Sequence, residues 1–261
     1  MLSSTSTKIG LIVALAVVVG AIPVGIYVLN IPATTTQDTV KVTLLYNAGV
    51  MIEANELRIY IDPVELPANY SDLPADAVLI THDHGDHYDS SIVQMLQKQG
   101  TINVFPEMMT GAIAAFSGIG VSPMDHVQVG SLNITAFYMY TFAPEGYNAS
   151  HPTESNYTSY IIDIDGFTIF HAGDSKNIPE YEQLVGGIDL ALLPLGPGCQ
   201  TMYREEVVDV IQLILPKYMV PIHFAGEEDV VFVVLYDDEI TSTTDCQLVH
   251  LPYFGVHIFE V

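Results

Sequence analysis

One short string constrains this chain more than any other feature: Thr81-His82-Asp83-His84-Gly85-Asp86-His87. Three of the chain's nine histidines, with Asp83 and Asp86 among them, fall between positions 82 and 87. The run before it, Ala77 to Thr81, reads as a buried strand. In an αβ sheet, the carboxyl end of a strand opens into the crevice where ligands bind. A loop leaving that end can turn His82 and His84 to one side and Asp86 and His87 to the other. Imidazole nitrogens and carboxylate oxygens suit zinc and other borderline divalent cations. Incidental histidines in a polar loop would not be expected to crowd four ligand-type residues into six positions. The string therefore predicts a metal site at a strand end.

Four clustered ligands cannot complete two such sites, since each ion takes about four, with one position left to water where the site is catalytic. Other strand ends should supply more, and three residues are so placed. His151 lies in the long polar loop from Thr141 to Ser159, Asp174 follows the apolar run Phe167 to His171, and His223 follows Tyr218 to Ile222. Each has an ordinary explanation when taken alone. His151 reads equally as a surface loop residue, Asp174 as a turn residue or helix cap, and His223 as a core histidine satisfied by backbone. Their shared position at strand ends sets them beside the first cluster.

The surrounding pattern is that of a layered α/β domain. Val40–Tyr46, Val50–Glu53 and Leu57–Ile61 read as strands of a meander, and Ser90–Lys98 as a helix with Asp89 or Ser90 at its N-cap. Ile102–Phe105 is an expected strand and Glu107–Phe116 an expected helix. Val127–Tyr140 holds two strands broken at Gly130-Ser131. Tyr160–Asp163 and Phe167–His171 form a hairpin around Asp165-Gly166. Pro179–Leu184 is a short helix, Leu190–Pro194 a buried strand, Arg204–Leu215 an amphipathic helix and Tyr218–Ile222 a strand. Two more strands fall within Leu248–Val261. Strands come first and then alternate with helices, which predicts sheets faced by helices. No repeat or linker interrupts residues 40–261, so they read as one domain.

Residues 1–30 read as a separate unit. Ile9 to Leu29 carries no charged side chain over 21 residues, about 32 Å as a helix, enough to cross a bilayer. A cleaved signal would have a shorter apolar region and a small-residue cleavage site, so an uncleaved, single-pass anchor is expected. Thr34 to Gln37 lie in a polar tether spanning 31–39. Lys8 before the span favours a cytoplasmic N-terminus and an extracellular body. Sequons at Asn69, Asn133, Asn148 and Asn156 agree with that side. With 31 acidic against 7 basic residues and a net charge of −24, the chain is a poor match to nucleic acid, whose phosphates need Lys and Arg. Cys199 and Cys246 are too few for a disulfide scaffold and would form one bridge or remain two buried thiols.

Taken in order, five segments resemble the metallo-β-lactamase fold superfamily, and within it the branch of ascorbate-6-phosphate lactonase-like proteins. They are Tyr60-Ile61-Asp62-Pro63, the Thr81–His87 string, Gly166–Asp174, Asp189–Gly196 and Pro216–His223. The resemblance covers roughly residues 40–261. It implies an αββα sandwich with a two-metal site at one edge. His82, His84 and His151 would hold the first ion; Asp86, His87 and His223 would hold the second, and Asp174 would bridge them. Zinc is the expected ion, with manganese or iron also suited. Asp86 would orient the attacking water or carry its proton. Asp62 and His171 read either as hydrogen-bonding partners of the ligands or as a turn cap and a core histidine. His126, His250 and His257 have no partner pattern. The chain departs from the family at Tyr46-Asn47-Ala48-Gly49, where histidine often precedes Ala-Gly, and at Gly196-Pro197-Gly198-Cys199. The implied function is a membrane-anchored hydrolase of a small ester, lactone or phosphoester. The alternative is a metal-binding protein that keeps the fold without turnover.

Overall fold

Two sheets follow from strands whose side chains alternate between two cores. The computed structural model describes residues 39–196 and 198–261; the expected anchor and tether lie outside them. The first sheet contains β1 (Thr39–Leu44), β2 (Val50–Ala54), β3 (Leu57–Ile61), β4 (Ala77–Leu79), β5 (Ile102–Pro106) and β6 (Ile119–Val121). The second contains β7 (His126–Val129), β8 (Leu132–Tyr138), β9 (Thr158–Ile164), β10 (Phe167–His171), β11 (Leu190–Pro194), β12 (Tyr218–Ile222) and β13 (Gln247–Leu248). The last strand, β14 (Val256–Glu260), returns to the first sheet beside β1. The orders are β14-β1-β2-β3-β4-β5-β6 and β13-β12-β11-β10-β9-β8-β7.

Each sheet is antiparallel on one side and parallel on the other. In the first, pairing switches at β3, which is antiparallel to β2 and parallel to β4. In the second it switches at β10, antiparallel to β9 and parallel to β11. In β3, Ile59 and Ile61 face the core shared by the two sheets, whereas Tyr60 faces a second core with Val78 and Phe105. That outer core is closed by α1 (Ser90–Met95) and α2 (Thr110–Phe116), which contribute Val93 and Ala112. Strands β4 and β11 are buried along their whole length, which explains their unbroken apolar sequence. On the other sheet, α3 (Arg204–Ile214) buries Val207, Val208 and Ile211 and packs beside α4 (Glu228–Thr243). The architecture is the expected mixed α/β sandwich.

Several expected elements shift. The helix expected from Glu107 begins at Thr110, and that expected from Ser90 ends at Met95. Asp89 is its N-cap, accepting from the Ser91 and Ile92 amides. Pro179–Leu184 is a 3-10 helix. Helix α4 and strand β6 were not expected. Among the described residues, no helix is long and apolar enough to cross a membrane.

Candidate metal centre

Strand ends from both sheets meet at one rim. Following β4, the string turns through 3.0 Å and 2.9 Å bonds from the His87 and Tyr88 amides to the His84 carbonyl. His82 and His87 are thereby buried, and His84 and Asp86 partly exposed. The second sheet delivers Asp174 after β10 and His223 after β12; the loop between β8 and β9 delivers His151. Donor atoms of His82, His84 and His151 lie within 4.8 Å of one another, as do those of Asp86, His87 and His223. Asp174 lies between these groups: Oδ1 is 3.1 Å from His87 Nε2, and Oδ2 is 3.3 Å from His223 Nε2, 3.7 Å from His151 Nε2 and 3.9 Å from His82 Nε2. All seven candidate ligands are thus brought together.

The hydrogen-bond network sets the ring nitrogens. Thr81 Oγ1 donates to Asp62 Oδ2 at 2.6 Å and so accepts from His82 Nδ1–H at 2.9 Å. His87 Nδ1–H donates to Asp62 Oδ2 at 2.8 Å. Ser150 Oγ donates to the Cys199 carbonyl and so accepts from His151 Nδ1–H at 2.9 Å. With each Nδ1 protonated, each Nε2 keeps a lone pair directed inward. His82 Nε2 and His151 Nε2 stand only 3.1 Å apart, a distance two lone pairs tolerate only with a proton or cation between them. His87 Nε2, His223 Nε2 and both Asp174 carboxylate oxygens are buried without a protein partner. Such groups are costly unless something satisfies them, and a divalent cation with N and O ligands fits all four.

Charge points the same way. Burial holds His82 well below the ordinary imidazole pKa, with the neighbouring histidines adding to it. Burial likewise pulls His151 down to about 4, so both are neutral donors at pH 7. Burial opposes a charge on His87, but the Asp174 and Asp62 carboxylates outweigh it and raise its pKa. A cation beside His87 Nε2 would stand where that proton otherwise sits. Burial would raise Asp174, yet His87, His223 and His151 keep it lowered and ionised.

Asp62 both occupies a turn, at φ 46°, and braces the ligands, accepting also from the Thr81 amide at 2.7 Å. His171 is a core histidine: its Nε2 meets the Ala48 carbonyl at 2.8 Å and its Nδ1 accepts from the Gly173 amide at 3.2 Å. It bonds none of the candidate ligands, which fits the core-histidine alternative of the two readings. His126 pairs with Thr135 and His250 with Asp229, and His257 lies on β14; none belongs to any of the ligand groups. Gly173, next to Asp174, has φ 56°, and an added Cβ would lie 2.5 Å from Met139 Sδ. Gly173→Ala is expected to cost about 2–4 kcal/mol, combining overpacking with left-handed strain, measurable by denaturant unfolding.

Two further residues of the site come from the segments Tyr46–Gly49 and Gly196–Cys199. Asn47 Nδ2 donates to the Asp86 carbonyl at 3.1 Å and to Asp86 Oδ2 at 3.3 Å. Cys199 is exposed and unbridged, and Cys246 is buried, so neither a disulfide nor a pair of buried thiols is present. Cys199 forms a further group with Asp174 and His223. Neither residue was singled out as a site candidate because each is a lone residue far from the histidine string in sequence. Beside them is a cleft of about 480 Å³ lined by Asn47, Leu195, Tyr203, Arg204, His223 and Phe224 among others, a size suited to a small ligand.

The sequence profile of the beta-lactamase superfamily domain matches residues 41–223. A metal-dependent hydrolase of Thermococcus onnurineus is 32% identical over 203 residues, covering 71% of this chain and 84% of the relative. The chain belongs to the metallo-β-lactamase superfamily of metal-dependent hydrolases. A metal-dependent hydrolase of Thermus thermophilus is also 32% identical, over 202 residues, with 71% and 84% coverage. Among solved structures, a metal-dependent hydrolase of Parabacteroides distasonis superposes with a TM-score of 0.69 at 28% identity, over 80% of this chain and 92% of that one. A metallo hydrolase of Ignicoccus hospitalis shares the fold at a TM-score of 0.69 and 22% identity, over 85% and 99% of the two chains. For this superfamily member, the match ends at His223, so α4, β13 and β14 lie beyond it.

Proposed function

We propose that this protein is a membrane-anchored hydrolase that uses two divalent cations, most suitably zinc, to cleave a small ester, lactone or phosphoester outside the cell. The observation that carries the reading is the convergence of seven ligand-type side chains, three of them imidazoles with inward Nε2 lone pairs, around the unpartnered Asp174 oxygens. A pair of bound divalent cations supplies Lewis acidity and lowers the pKa of water toward neutrality. Asp86 is the group suited to orienting that water. It is partly exposed, and its carboxyl is held well below the usual range by His223, despite partial burial. Its ionised Oδ2 can accept a hydrogen bond from an attacking water and orient it, while Asn47 fixes the carboxylate. Asp62, Thr81 and Ser150 hold the imidazoles in their donating tautomers.

The basic residues narrow the substrate. All six described Lys and Arg side chains are paired with carboxylates: Lys41, Arg58, Lys98, Lys176, Arg204 and Lys217. Arg204, in the cleft wall, is held by both oxygens of Glu228 at 2.6 Å and 2.7 Å. With no free Lys or Arg among the described residues that line the cleft, an uncharged ester or lactone suits it better than a phosphoester. The anchor rests on the apolar run Ile9–Leu29.

The test is hydrolysis of simple aryl esters, lactones and phosphodiesters by the full chain. The expected result is turnover that a chelator abolishes and added zinc restores. Chelator-insensitive turnover would sink the metal mechanism. Metal binding with no turnover on any substrate would favour a non-catalytic metal protein.

A further inference from the structure

We propose that Cys199 is a thiolate ligand at the Asp174–His223 corner of the centre, and that this corner therefore selects zinc-class ions over manganese or magnesium. The inference rests on the metal-centre reading above. Cys199 Sγ, an Asp174 oxygen and a His223 nitrogen lie within 4.8 Å of one another. The cysteine does not stand alone: Asp174 is completely buried, with both oxygens unpartnered.

The loop that carries the thiol is tied to the loop that carries His151. Gln200 Oε1 accepts from the Ser150 amide at 2.9 Å, and Gln200 Nε2 donates to the Asn148 carbonyl at 3.2 Å. Ser150 Oγ, which fixes the His151 tautomer, also donates to the Cys199 carbonyl. Thr201 Oγ1 closes the turn onto the Gly196 and Gly198 carbonyls. Cys199 and Gln200 both adopt left-handed backbone, at φ 52° and 62°. Neither is a residue that favours this region.

A thiolate is a soft donor that favours zinc and copper(I), whereas manganese and magnesium favour oxygen. Binding replaces the S–H bond with an S–metal bond and releases the proton to solvent.

The experiment is titration of the chelator-stripped full chain with cobalt(II), followed by absorption spectroscopy. The native protein should show visible d–d bands together with an intense near-ultraviolet thiolate-to-cobalt charge-transfer band. Cys199→Ser should lose the charge-transfer band, keep the d–d bands and bind zinc at least about tenfold more weakly, as loss of even an outer partner commonly does. Cys246→Ala, at the buried and remote cysteine, should keep both sets of bands. Visible bands without charge transfer in the native protein, or a charge-transfer band that survives Cys199→Ser, would overturn the thiolate assignment alone. No cobalt uptake at all would overturn both it and the metal-centre reading.

Discussion

Asp174→Ala is expected to empty the centre and lower kcat/KM by more than the roughly 10–100-fold that losing an outer partner of a metal ligand costs. Among the described residues, Asp174 carries the only buried carboxylate facing four candidate imidazoles, those of His82, His87, His151 and His223. Without it, any cation held by those nitrogens would lose its buried anionic partner, and its charge would be uncompensated. The readouts are metal content after dialysis and steady-state hydrolysis. Asp174→Asn should fail nearly as badly, because its amide keeps the volume but has one acceptor oxygen and no charge. Retention of full metal content by either variant would refute the bridging role.

Asp62→Ala should weaken metal binding by about 10–100-fold and destabilise the fold by about 3–5 kcal/mol. One carboxylate accepts three hydrogen bonds, from the Thr81 amide, Thr81 Oγ1 and His87 Nδ1, and it is fully buried. Truncation strands all three donors away from water. It also frees His87 to take the other tautomer and frees Thr81 from donating to position 62, which then loosens His82. For a domain of this size the stability loss corresponds to about 6–20 °C in Tm. Calorimetry on the metal-free protein separates the fold effect from the lost metal. An unchanged metal-free Tm would show that Asp62 is not the brace its geometry implies.

The site was more legible than the fold around it. The string from His82 to His87 advertises itself because its ligands are neighbours in sequence, and Asp174 and His223 could be placed because each follows a recognisable strand. Asn47 and Cys199 could not, since nothing local marks an amide or a thiol whose partners lie more than 20 residues away. The strands β3, β10, β11 and β12 have their expected bounds because apolar runs ended by turn residues leave little freedom. Helix α4 was hidden for the opposite reason. Its sequence, Val230-Val231-Phe232-Val233-Val234-Leu235, is rich in β-branched residues, which favour strands. Only Asp229, Phe232 and Ile240 of that helix are buried, so tertiary packing, which the local sequence does not report, decides its form. Strand β6 is three residues long with Gly120 at its middle, too short to carry a period.

The centre draws its ligands from both halves of the sandwich. His82, His84, Asp86 and His87 arrive from one sheet, and His151, Asp174 and His223 from the other. A cation there works as a rivet through two plates, in addition to whatever chemistry it performs. Separating the plates would require releasing the ion, so the protein's resistance to denaturants should rise with the free zinc concentration, following the logarithmic law for any ligand that binds only the folded form. Depriving the protein of that cation would then endanger the fold itself, beyond any loss of chemistry.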